Sequence, residues 1–497
     1  SLGKSVSVQE ISNIDEFFAY IQGGKGGNYR IINDLTFDFS GTDSQGVSIE
    51  QKFRDISSES SPVSGSLQGY GTGGEPITIK VVYNDNALPV FGYLSMFELS
   101  NINFEFENAS SINNIENFGL LCYTASNCGF SKVKIVMANS LNFNNIQNLG
   151  GIVGKSSSCT FRNVLTSVKF ANEEFTSNYS VLAIGGISGS IETRSTFESV
   201  TTSLDVNVKS TVIGISEINI GGIVGLVKGN ITVDAYGNSK NTTSGNINED
   251  SNSVLYVGGV FAQHKVVAET QDVKKVDAKL NLVANSAQNI YAGGIIGLGT
   301  YTNLQNLYSK TQMDITGSSD IYAGGIGGEY QNSLRLEKSI SYVGTFENCS
   351  ANNDIVVTNK SNTAKKNFVG GLFGLVYNNV NVVKTSQIET IIYQDSFASG
   401  KIKIIGDGSD AVQRVAYLGG LIGQVYSKNT TYDSEYQTHL KLSKSASETS
   451  IVAQNIAIVY MGGIAGYSSM IIDTCINYGM LSTIMSNTNY TASNSIL

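Results

Sequence analysis

The sequence predicts an all-β fold: a single right-handed parallel β-helix, or β-solenoid, with an N-terminal cap. Three observations predict it. Gly is abundant while Pro is nearly absent, a Gly-Gly-aliphatic-x-Gly unit recurs along most of the chain, and the segments between units alternate apolar and polar residues.

Of the 497 residues, 41% are hydrophobic and 15% charged, so a core can be buried while neutral Ser, Thr and Asn solvate the surface. Disorder requires low hydrophobicity with high charge, and this chain has neither. The 53 glycines supply corners where a Cβ would clash, and the 3 prolines leave backbone N–H groups free for a continuous ladder. A formal charge of −9 argues against nucleic acid, which demands a basic stripe. No run of about 18 apolar residues exists, so no segment reads as a membrane span. Ser1-Leu2-Gly3-Lys4 leads straight into Val/Ile alternation and reads as a processed or trimmed start. The sequence stops in a polar stretch just after a repeat, which reads as a piece of a longer protein.

The repeat appears as Leu149-Gly150-Gly151-Ile152-Val153-Gly154, Ile184-Gly185-Gly186-Ile187-Ser188-Gly189 and Ile220-Gly221-Gly222-Ile223-Val224-Gly225. In Val257-Gly258-Gly259-Val260-Phe261-Ala262 the last Gly becomes Ala, and later units begin at Gly293, Gly324, Gly370, Gly419 and Gly462. Successive Gly pairs lie roughly 31 to 49 residues apart, within the range of stacked supersecondary units. Between them, Ser199–Val208, Asp354–Val357 and Lys401–Ile405 alternate with period two, the mark of strands with one wet face. No segment holds a helical period over three turns except Ile14 to Ile21. Each unit is too small to bury its own apolar face. Stacking coils about 4.8 Å apart pairs every strand in parallel and encloses a narrow core. A β-propeller is the runner-up, but it usually carries aromatic blade signatures, and this chain has no Trp. Residues 237–253, rich in Asn, Ser, Thr and Gly, read as a looped-out insertion. Residues 1–90 are expected to form the cap and first strands, and residues 91–497 the solenoid.

Two positions before the Gly pair stand Tyr256, Tyr291, Tyr322, Phe368, Tyr417 and Tyr460 in six successive units. Rings one rung apart could stack and fix the register, or form an exposed strip for glycans or partner chains. The cysteines are Cys122, Cys128, Cys159, Cys349 and Cys475. With no CxxC pair they make a poor metal pattern. They read as buried small hydrophobes or as a local Cys122–Cys128 disulfide, with Cys159 one repeat later.

The Gly-Gly-Ile-x-Gly units resemble the GLUG-type repeats of bacterial surface proteins, including non-catalytic parts of IgA-cleaving metallopeptidases. Thr345–Cys349, Asp395–Ile402 and Thr474–Gly479 look like the second element of that pattern. Asn13–Phe18, as a short helix capped by Asn13, and Asn28–Phe37 resemble the start of such solenoids. Phe91–Leu94 and Phe118–Leu121 look like degenerate early repeats. The resemblance covers most of residues 10–480, although this chain is richer in Asn and Tyr and poorer in Cys. It implies secretion, surface display and adhesion or spacing, without implying a reaction.

No catalytic site is expected. The two histidines, His264 and His439, lie on different repeats without a recognisable Cys or Ser partner, and HExxH is absent. Glycoside hydrolysis needs two carboxylates across a groove. Glu173 with Glu174, Glu249 with Asp250, and Asp407 with Asp410 all lie in polar, loop-like segments and read as solvated. Asp407-Gly408-Ser409-Asp410 has loop-like oxygen spacing but too few ligands for calcium. No metal or cofactor is expected. Asn-x-Ser/Thr sequons occur at Asn108, Asn178, Asn230, Asn241, Asn348, Asn359, Asn429 and Asn489, and in a eukaryotic source several would carry glycan on outward loops. The expected function is extracellular or on the cell surface: a stalk, adhesin or filament subunit, glycosylated where the source permits. Its partners are copies of itself, other surface proteins or glycans. The alternative is a carbohydrate-binding or polysaccharide-degrading β-helix.

Overall fold

The structure, a computed structural model, describes residues 7–22, 26–108, 110–265, 269–335, 343–381, 390–407, 413–429 and 439–484. It is nearly all-β, with 65% of residues in strands and 4% in helices, and includes a parallel β-barrel among many further strands. Every extended ladder is parallel, as in the pairings of Gln9–Ile11 with Tyr29–Ile31 and of Gln271–Ser286 with Thr302–Gly317. The antiparallel blades of a propeller do not form among the described strands; antiparallel pairing is confined to the single bridges Thr42–Ser48 and Ser58–Ser61.

Residues of successive repeats stand in register. Tyr29, Leu67, Leu99, Phe130, Phe161 and Phe197 occupy one column, each paired with the next. Their neighbours on the same face are equally apolar, and one continuous core cluster runs from Ile11 to Met470. Rings within it lie almost parallel: Phe130 on Phe161 and Phe161 on Phe197 at 4.9 Å, and Phe346 on Tyr393 at 4.4 Å. Each such pair adds ~0.5–1.5 kcal/mol beyond the area it buries. At the N-terminal end, the helix Ile14–Ile21 forms where expected, with Asn13 Oδ1 accepting from Glu16 N at 2.9 Å. It packs Phe17 against Phe37 and Phe91 and Phe18 against Phe37, with Ile21 also buried, covering that end of the core.

Gly and Asn divide the backbone work between them. None of the repeat diglycines takes a positive φ; what excludes a side chain there is crowding. A Cβ on Gly221 would run into the Val224 carbonyl, and one on Gly222 into the carbonyl of Gly259 one rung on. The left-handed corners belong to other residues. Asn101, Lys132, Asn163, Ser199, Lys275, Asn306, Asn348, Asp395, Lys444 and Thr474 all have φ between 49° and 60°, flanked by ladders that keep them in register. Asn adopts this region more readily than most L-residues, and its amide can bond to the rung beside it. Asn348 Nδ2 donates to Asn306 Oδ1 at 2.7 Å and Asn145 Nδ2 to Asn114 Oδ1 at 2.8 Å.

One expectation fails. Residues 241–251, read as part of a looped-out insertion, form a strand paired on both sides. The alternation is present but its inward positions are mostly polar: Asn241, Thr243, Glu249 and Ser251 are buried beside Gly245 and Ile247. An apolar inner face is what marks a core strand in a sequence, and this strand has none.

Candidate functional site

The aromatic column is the most ordered surface feature. Tyr256, Tyr291, Tyr322, Phe368, Tyr417 and Tyr460 pair rung to rung. Their ring centroids are 4.5 to 5.1 Å apart and their planes within 9° of parallel. The flanking residues Leu255 and Val257 are in the core, so the rings project from the opposite face. Phe368 is buried and the five tyrosines are half-buried. After the diglycine the chain folds back on this face. A Cβ on the last Gly of the unit would meet the carbonyl of the aromatic residue in its own rung: Gly423 that of Tyr417, Gly466 that of Tyr460 and Gly328 that of Tyr322.

Beside the column, the strands that follow the diglycine carry Gln263, Leu298, Glu329, Leu375, Gln424 and Tyr467, again in register. Tyr467 closes edge-on against Tyr417 and Tyr460 at 6.3 and 6.0 Å. Glu329 is 7% exposed; burial raises its carboxyl to about 7, countered in part by a hydrogen bond from Gln331 Nε2 at 3.1 Å. Burial, with the Glu329 charge nearby, also pushes the Tyr291 hydroxyl up to about 12. A sugar platform needs an open ring face. Here each inner ring lies face to face with its neighbours, so the geometry is that of a register-fixing ladder.

The five thiols are free, and all but Cys475 are buried. The Cys122–Cys128 disulfide is thus not formed. Cys122 packs at the start of one strand, its Sγ towards Ile152 O, while Cys128 follows that strand beyond the Asn127 corner. Cys128 instead neighbours Cys159 on the next rung.

His264 is buried, its ring nitrogens bonded to Thr300 Oγ1 and the Gly229 carbonyl. Burial lowers its pKa to about 4, which suits a neutral core residue. His439 opens a strand paired with Thr390. Glu173 and Glu174 lie on an exposed turn. Glu249 is not in a loop: it sits in the core column between Val208 and Ala284, 1% exposed. Neither carboxylate oxygen gains a well-formed hydrogen bond, and burial raises its pKa to about 8 despite weak help from Ser251 and the Asn285 N–H. Asp407 is exposed, and positions 408–410, including Asp410, lie outside the described residues. Among the described residues, no group of three or more His, Cys, Asp and Glu side chains could hold a metal ion, and no helix is long and apolar enough to cross a membrane.

The sequons divide by burial. Asn108, Asn178 and Asn348 are exposed. Asn230, Asn241 and Asn359 are buried, with amides donating to Thr270 O, Asp234 O and Ser319 O. A glycan on any of these three would break the fold. Asn429 ends a strand, and Asn489 lies outside the described residues.

The two ends of the ladder differ. Beyond the helix-covered N-terminal end, the final strands expose Ile471, Ile472, Ile476, Tyr478 and Met480, and among the described residues nothing pairs with their far edge. Asp473, the one charged group between Ile458 and Ile484, is ion-paired to Lys441. No family model and no curated protein matches the chain.

Proposed function

We propose that the chain is one right-handed β-solenoid, with residues 1–90 as its cap and first strands, serving outside the cell as a stalk, adhesin or filament subunit. The observation that carries this reading is the parallel pairing that links the described strands rung to rung from Gln9 to Ile484, with one register shift between Val63 and Gly65. Such a stack gains length in steps of ~4.8 Å per coil, a property useful for spacing. The resemblance to GLUG-type surface repeats points the same way.

Electron microscopy and sedimentation of the full chain over rising concentration test this reading. Elongated rods are expected, and isolated globular particles at every concentration would overturn it. The glycan reading has less support because the stacked rings offer few free faces; specific retention on a glycan array, lost in Tyr291→Ala, would restore it.

A further inference from the structure

We propose that Cys128 and Cys159 are a modification site: a disulfide staple joining two adjacent rungs. The two residues occupy equivalent positions, each one step past a left-handed corner at Asn127 (φ 53°) and Ser158 (φ 54°). The flanking pairs Gly129–Thr160 and Phe130–Phe161 are in strict register, and Thr160 N donates to Cys128 O at 3.0 Å. Neighbouring strands are ~4.8 Å apart, inside the ~4.4–6.8 Å Cα separation that a disulfide spans. Both thiols face the same stretch of chain: Cys159 Sγ lies 3.5 Å from Ala125 O on the preceding rung and Cys128 Sγ 3.3 Å from Ser126 O.

The other cysteines supply an internal contrast. Cys349 and Cys475 share a column of the same kind, but Ser396 and Ser445 separate them, so they stand three rungs apart. Above Cys159 the Cys128 column continues with Ser195. Small residues are what these columns demand, and only at Cys128–Cys159 do two thiols fall on consecutive rungs. Cys128 also lines a surface concavity with Glu98, Ser158 and Arg162, so an oxidant can approach the pair.

The oxidant is a small-molecule disulfide. Cys128, the thiol that lines the concavity, loses its proton, and its thiolate attacks the external disulfide, forming a mixed disulfide and releasing one small thiolate. Cys159, losing its proton, attacks the Cys128 sulfur, forming the Cys128–Cys159 bond and releasing the second. Two protein thiols are oxidised and one external disulfide is reduced to two thiols.

The test is non-reducing peptide mapping of the folded full-length chain after treatment with oxidised glutathione, with free thiols alkylated on unfolding. One cross-linked peptide pair, Cys128 with Cys159, and a mass lower by two hydrogens are expected, with Cys349 and Cys475 alkylated. The oxidised chain should melt a few degrees higher than the reduced one, and Cys159→Ser should abolish the difference while Cys122→Ser keeps it. Alkylation of both Cys128 and Cys159 after oxidation, or a bond from either to Cys122, would overturn the proposal. The staple stands on local geometry, independently of the extracellular reading. A chain that forms this bond in vitro but is reduced when isolated from its source would count against secretion, not against the staple.

Discussion

Crowding, rather than left-handed geometry, fixes the repeat glycines, and this makes a graded prediction. Gly221→Ala places a methyl group against the Val224 carbonyl, with Phe261 Cα 2.9 Å away. Both obstacles are backbone, so no side chain can swing aside. To restore contact distance the carbonyl must retreat by on the order of 1 Å, a backbone shift of the kind that costs ~1–3 kcal/mol in a packed core. Val224 N donates to Val260 O at 3.0 Å on the next rung, and losing that buried pairing adds ~1–3 kcal/mol. The expected loss is ~2–6 kcal/mol. Gly225→Ala, four residues on, should behave differently. Its Cβ would meet the Ile184 N and Gly189 O atoms at 2.7 and 2.8 Å, a milder overlap. The adjacent rung already has Ala262 at the equivalent place, fully buried. A loss of ~1 kcal/mol is expected there.

Long stacks need not unfold in one step, so hydrogen exchange resolved by peptide is the appropriate assay. Gly221→Ala should lose protection on its own rung and on the rungs containing Ile184–Gly189 and Gly258–Phe261, with distant rungs little changed. Equal protection in the two variants, or a larger loss in Gly225→Ala, would refute the crowding argument.

Four further outcomes follow from the packing. Phe161→Ala removes the middle ring of the Phe130–Phe161–Phe197 stack and should cost ~3–5 kcal/mol, read by denaturant unfolding. Tyr291→Ala removes two ring contacts of the outer ladder and should cost ~2 kcal/mol, whereas Tyr291→Phe should retain most of that stability; equal losses would move the contribution from the ring to the hydroxyl. Glu249, raised by burial from 4.5 to about 8, favours the fold in its protonated form. Its contribution is complete below the unfolded pKa, and is lost as pH rises towards and through about 8, at a slope of at most roughly 1.4 kcal/mol per pH unit. Glu249→Gln should flatten that decline, which falls between the unfolded pKa and about 8, in thermal melts taken from about pH 5 to 9. In a glycosylating host, glycopeptide mapping should find sugar among Asn108, Asn178 and Asn348, and none at Asn230, Asn241 or Asn359.

The diglycine unit reveals the repeat because it combines two constraints that no other residue meets, a close backbone approach and a neighbouring strand every rung. The helix Ile14–Ile21 is legible to its cap for an equally local reason: Asn13 Oδ1 reaches Glu16 N, three residues away. Properties set by the neighbouring rung are harder to read. Glu249 and Asp250 look like a solvated acidic turn until the register puts Glu249 under Val208 and over Ala284. The Asn corners look like unstructured polar filler, because the bond that justifies Asn348 comes from Asn306, 42 residues away. The same holds for the cysteines: in sequence Cys122 is nearer to Cys128 than Cys159 is, but in a stacked coil nearness is measured by column. Alternation along the chain predicts which residues face inward; only the register between coils decides what each one touches. In a ladder of this kind, the chemistry of a site therefore belongs to pairs of residues about one repeat apart, and a substitution should be judged first by its column neighbours.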